Sequence, residues 1–174
     1  MAFISISITK NHPLILGKGG FGRQLADWLS AEGWGEAEFL DDSAPGCVGG
    51  LRDYADPKLL KPGRPAFVAL GDNPLRVELL QKLAAAGYNT PVFISDMAAV
   101  SPSAVLEPGC VILPQAYVGA DAHLGVGCII NGGAIVDHEA VLGRGVHVAP
   151  GGIVKAGAEV EALTKVDSGE IIKK

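Results

Sequence analysis

From Ile94 the chain reads ISDMAAVSPSAVLEPGCVILPQAYVGADAHLGVGCII as far as Ile130 and keeps the same metre to its end. Every sixth residue is a branched aliphatic: Ile94, Val100, Leu106, Ile112, Val118, Leu124, Ile130, Val136, Leu142, Val148, Val154, Val160, Val166 and Ile172. A lone helix repeats near 3.6 residues and a lone strand at 2, so an undrifting period of six marks a stacked repeat. The other phases agree. Four residues after each aliphatic, ten of thirteen positions are Ala, Cys or Gly; three residues after it, seven of thirteen are Gly. Pro102, Pro108, Pro114 and Pro150 all fall two residues after it. Turn chemistry therefore recurs in step with the core.

A six-residue rung carrying one inward aliphatic and one turn closes after three repeats into a triangular coil of eighteen residues, stacked on the next at about 4.8 Å. This reads as a left-handed parallel β-helix of about four coils and a height of about 20 Å, with no inserted loop. Cys110 and Cys128 lie one coil apart and should stack inside the prism as small core residues. With Cys47 they form no CxxC, so all three read as reduced thiols rather than a zinc or disulfide framework.

Upstream the pattern changes to α/β. Pro13–Gly17 is a short apolar run into a glycine-rich turn, and Phe21–Glu32 has Leu25, Trp28 and Leu29 at helical spacing. Ala37–Leu40 and Ala66–Leu70 read as strands, and Leu75–Ala86 as a helix stopped by Gly87. Strands alternating with helices imply a small Rossmann-like parallel sheet. The expected division is residues 1–90 for a nucleotide-binding α/β domain and 91–174 for the prism.

The 174 residues are 48% hydrophobic and 19% charged, with a net charge of -5. That balance does not suit a phosphate-backbone binder, so nucleic acid is excluded as a partner. The first twelve residues lack the basic start and long apolar stretch of a signal peptide, and the apolar runs are short. No membrane partner and a cytoplasmic location are expected.

Four histidines are present, His12, His123, His138 and His147. His138 falls at a corner two residues after Val136, between Asp137 and Glu139, where its side chain points outward. His147 follows nine residues later, half a coil away. In the α/β part, Gly17, Gly19, Gly20 and Gly22 form a strand-to-helix turn whose bare backbone can approach phosphate or ribose. Asp41 or Asp42, about 20 residues on, is placed for a ribose or base contact, and Asp72 and Asn73 lie at a strand's carboxyl end. Spacing alone permits a dinucleotide such as NAD equally well.

The segment Ile129–Gly151 (IINGGAIVDHEAVLGRGVHVAPG) resembles the catalytic region of the hexapeptide-repeat nucleotide-sugar acyltransferases, which include UDP-4-amino-sugar N-acetyltransferases and sialic acid O-acetyltransferases. The glycine turn, Phe39–Asp42, Gly71–Asn73 and Ser101–Ala104 match that family's layout, while Phe21 stands where many relatives have His. The resemblance implies acetyl transfer from acetyl-CoA, a co-substrate rather than a bound cofactor, to an amino or hydroxyl group of a UDP-sugar-like acceptor. No metal is implied. It makes His138 the general base and Glu139 its orienting partner. His147 would contact the donor's acetyl carbonyl with Gly145 nearby, and Asn131 would bind the acceptor or a histidine. Gly17, Gly19, Gly20, Asp41, Asp42, Asp72 and Asn73 would hold the nucleotide. The implied assembly is a homotrimer with sites between prisms. Because only 27 residues follow His147, the alternative is a nucleotide-sugar-binding trimer that has lost part of the coenzyme A groove. A β-helix carbonic anhydrase is disfavoured, since His123, His138 and His147 differ in phase.

Overall fold

The structure is a computed structural model that describes residues 12–59, 61 and 63–174, so most of the leader lies outside the described residues. Strand β1 (Leu14–Leu16) is central in a three-stranded parallel sheet of order β2-β1-β3, with β2 at Glu38–Leu40 and β3 at Ala66–Val68. Helix α1 (Gly20–Ala31) follows β1, and α2 (Asn73–Ala85) follows β3. Asp72 starts α2 by accepting a hydrogen bond from the Leu75 amide at 2.8 Å, with Pro74 in the first turn. Helix α1 begins at Gly19 with no side-chain cap.

From Phe93 onward, fourteen two-residue strands form three parallel sheets, the faces of the left-handed prism. Face one holds Phe93–Ile94, Val111–Ile112, Ile129–Ile130, His147–Val148 and Lys165–Val166. Face two runs Ala99–Val100, Tyr117–Val118, Ile135–Val136, Ile153–Val154 and Ile171–Ile172. Face three runs Val105–Leu106, His123–Leu124, Val141–Leu142 and Glu159–Val160. The second residue of each pair points inward, and those from Ile112 to Val166 are buried with the small residues four positions later. Cys110 and Cys128 are among them, their thiols donating to the Gly125 and Gly143 carbonyls at 3.3 and 3.2 Å.

The turn phase is equally regular. Every sixth residue from Gly109 to Gly169 has a positive φ, including the non-glycines Gln115, Asp121, Glu139 and Leu163. Seven glycines fill the rest of these left-handed positions because an L side chain is strained there.

The two parts share a core. The outward residues Phe93, Val111 and Ile129 of face one are buried against Ile15, Phe67, Leu25 and Leu29 of the α/β part. Helix α2 lies along the corner before face one, where Gly109, Gly127 and Gly145 stack one per coil. A Cβ there would meet Leu80 at Gly109 and Gly127, and Val77 at Gly145, all within 2.7 Å. These glycines make the groove that seats the helix.

Candidate active site

The sequence candidates separate into two groups on opposite sides of the prism. His138 occupies the corner between faces two and three, the vertex opposite face one. Its imidazole is exposed, and Nδ1 lies 3.4 Å from Glu139 Oε2. With the ring proton on Nδ1 toward that carboxylate, Nε2 keeps its lone pair, which has no partner among the described residues. Glu139 holds this position at φ +59°. A glycine would sit there at lower cost, by about 1 kcal/mol; the left-handed turn carries a carboxylate instead.

The second group lies where the α/β part meets face one. His147 continues the outward column above Ile129, just past the edge of the shared core, and Lys165 follows it one coil later. The α/β domain covers this face up to this rung, and His147 is half-buried. Phe21, in the first turn of α1, lies 6.4 Å from the imidazole between ring centroids. Asn131 accepts from the Gly132 amide through Oδ1 at 2.8 Å, which turns Nδ2 toward His147 Nε2 at 3.4 Å. Nδ1, the other ring nitrogen, is a buried atom with no hydrogen-bond partner among the described residues. Burial, with the charges of Arg76 and Lys165, pushes the imidazole down to about 4, so it is neutral at physiological pH.

The glycine turn divides by role. Gly17 has φ +99°, and a Cβ on Gly22 would strike the Gly17 carbonyl oxygen at 1.9 Å, so these two close the strand onto the helix. Gly19 and Gly20 have nothing within 4 Å of a Cβ and lie exposed at the uncapped start of α1. They are the approachable part of the turn. Asp41 is committed to its own loop: its carboxylate accepts from the backbone amides of Lys18, Ser43 and Ala44, which hold it down at about 2. Asp42 accepts from the Leu51 amide through Oδ1 at 2.8 Å and is exposed.

Asn73 lines no opening; it is buried and donates to the Leu163 carbonyl at 2.8 Å, tying α2 to the last complete coil. Asp72 acts as the α2 cap. Gly145 is buried, and a Cβ on it would meet Val77 and Leu163. Sequence reasoning passed over Arg76, which is almost fully buried and donates to the Leu70, Gly127 and Gly145 carbonyls at 2.7, 2.9 and 2.7 Å. Its place among the buried α2 positions Asn73, Val77, Leu79, Leu80 and Leu83 was the available signal.

Residues 14–83 match the family model of the PglD N-terminal domain, and solved sugar acetyltransferases superpose over most of the chain. The chain belongs to the hexapeptide-repeat sugar acetyltransferases and is an acetyltransferase. In particular, it is similar to a histidine-to-asparagine variant of perosamine N-acetyltransferase from Caulobacter crescentus, in complex with CoA and GDP-perosamine. That match has 30% identity and a TM-score of 0.80, covering 88% of this chain and 76% of the other. It is also similar to the acetyltransferase domain of PglB from Neisseria gonorrhoeae in complex with acetyl coenzyme A, at 32% identity and TM-score 0.76, covering 93% and 87%.

Proposed function

We propose that this protein transfers the acetyl group of acetyl-CoA to an amino or hydroxyl group of a sugar carried on a nucleoside diphosphate. His138 is the general base. Its Nε2 takes the proton from the acceptor as the nitrogen or oxygen attacks the thioester carbonyl carbon, and Glu139 steadies the imidazolium that forms. The tetrahedral oxyanion then collapses, the C–S bond breaks, and the coenzyme A thiolate leaves to be protonated. We assign the polarising contact with that oxygen to His147 Nε2, since Nδ1 is buried, and the low basicity of this ring leaves the proton transfer to His138. Acetyl-CoA and nucleotide-sugar ligands of the solved relatives support both substrates. Gly19, Gly20 and Asp42 are the residues we assign to the nucleotide. UDP was the expected carrier; GDP stands beside it because a relative is described with GDP-perosamine.

The observation that carries this reading is the position of His138 at the vertex opposite the face on which the α/β domain is docked. A nucleotide held at Gly19 and Gly20 cannot present its sugar to the same chain's His138. We therefore infer a homotrimer in which one copy's His138 serves the nucleotide turn and His147 of the next. The exposed outward residues Tyr117, Ile135 and Ile171 of face two offer apolar surface for that contact. Cytoplasmic action belongs to the same proposal, where buried thiols such as Cys110 and Cys128 stay reduced.

The test is release of free coenzyme A thiol by the purified protein, with acetyl-CoA and a panel of UDP- and GDP-linked amino sugars beside their hydroxyl counterparts. Turnover with one acceptor class is expected; tight binding of these sugars with no thiol released would overturn it.

A further inference from the structure

Arg76 carries a buried positive charge that the reaction, as read above, does not use. All three of its hydrogen-bonding nitrogens are spent on carbonyl oxygens, and among the described residues it forms no ion pair. Docking alone does not explain a charge there. Val77 and Leu80 already fill the glycine groove on either side, and a buried guanidinium without a carboxylate is costly to desolvate. Its two long-range bonds are specific: they hold the turn carbonyls of Gly127 and Gly145, each two residues before a face-one strand, the second being the strand of His147. One planar fork thus spans two consecutive coils.

We propose that Arg76 is a positioning residue for His147: its grip on the Gly127 and Gly145 carbonyls fixes the rung that presents the imidazole. The proposal rests on the reading of His147 as the group that polarises the thioester carbonyl. The groups facing His147 are few. Phe21 of α1 and Asn131 of the preceding coil are uncharged; Arg76 of α2 and Lys165 of the following coil are cationic, with Lys165 paired to Asp167 at 2.9 Å. Of the two cations, Arg76 is the one with no ion pair among the described residues, although the charge of Asp72 at the start of α2 favours its own. Burial draws it down to about 10, which leaves it charged throughout the working range.

The experiment uses the full chain with histidine ring nitrogens labelled, the His147 signal being assigned by its loss in His147→Asn. Wild type should keep a neutral His147 to about pH 4. Arg76→Met should raise the His147 midpoint by about one pH unit and should lower kcat/KM about tenfold. Arg76→Lys keeps the charge and loses the fork: it should leave the midpoint near that of wild type and still lower kcat/KM. A folded Arg76→Met protein with an unchanged His147 midpoint, or with a shifted midpoint and wild-type kcat/KM, overturns the proposal. Should Arg76→Met fail to fold, Arg76→Lys decides: wild-type kcat/KM overturns the positioning role, and a lowered value with an unmoved midpoint supports it. The titration needs no substrate, so a wild type that acetylates nothing defeats the proposed function without deciding this one.

Discussion

His138 and His147 are nine residues apart on one repeat, and the molecule gives them opposite surroundings. The first stands in water at a bare corner with a carboxylate beside it. The second is half covered by the α/β domain, next to an aromatic ring and two cations. Half a coil of chain carries the imidazole from one side of the triangle to the other, so identical side chains acquire different proton chemistry from their place on the prism alone. The two candidate histidines thus stand on sides of the prism that a single chain keeps apart.

The largest expected effect separates the two rings by activity. His138→Ala should lower kcat by about 10²–10⁴-fold, the usual contribution of a positioned base, with circular dichroism and assembly size unchanged because the side chain is exposed. His147→Asn should cost less, as it keeps a donor and moves no proton. Equal losses in steady-state kinetics would erase the distinction.

Mixing subunits tests the separation itself. His138→Ala and a nucleotide-turn variant such as Gly20→Trp should each be inactive. Co-refolded in equal amounts they should regain activity at about one quarter of sites, the statistical share in which an intact corner meets an intact turn on a neighbour. No recovery would place both halves in one chain.

Gly145→Val should lower stability by about 1–3 kcal/mol, since its Cβ meets Val77 at 2.7 Å on a backbone with φ +67°. Thermal unfolding would show it. Gly19→Ala is the contrast, with nothing within 4 Å of its Cβ: it should stay within about 0.5 kcal/mol of wild type while weakening the nucleotide-sugar KM.

A further contrast lies in pH. Between the ordinary histidine value of 6.5 and about 4, the unfolded chain protonates His147 and the folded chain does not. The unfolding free energy should therefore fall as pH drops through that window, and the slope should flatten in His147→Asn. Asp41 adds a lower window, from 3.8 down to about 2, in which its loop loses stabilisation on protonation.

The prism was legible because each rung states its own rule, an aliphatic inward and a left-handed turn three residues on. The docked face was not. Phe93, Val111 and Ile129 on face one and Tyr117, Ile135 and Ile153 on face two are equally apolar in sequence, and glycine columns stand at Gly109, Gly127 and Gly145 and again at Gly133, Gly151 and Gly169. Periodicity says which residues point outward and cannot say what covers them. For the same reason His138 and Glu139 could be set at a corner, whereas Asn73 and Gly145, whose roles depend on where α2 lies, were misplaced. The strands and helices of the α/β part followed from apolar runs and turns, but the commitment of Asp41 to its own loop depends on three backbone amides that no spacing rule reveals.

The unbroken repeat also makes direction around the prism a matter of counting. Docking pins Phe93, Val111 and Ile129 beneath the α/β domain, and His138 lies nine residues past Ile129. Eighteen residues added between Ile129 and His138 would raise that imidazole by one coil and keep its corner. Adding or removing six there would swing everything beyond them through a third of a turn, aiming the base along another edge of the triangle. The bearing of His138 around the prism is thus written as a remainder, and a lineage altering this chain could lengthen it by whole coils but not by single rungs without moving that imidazole to another corner.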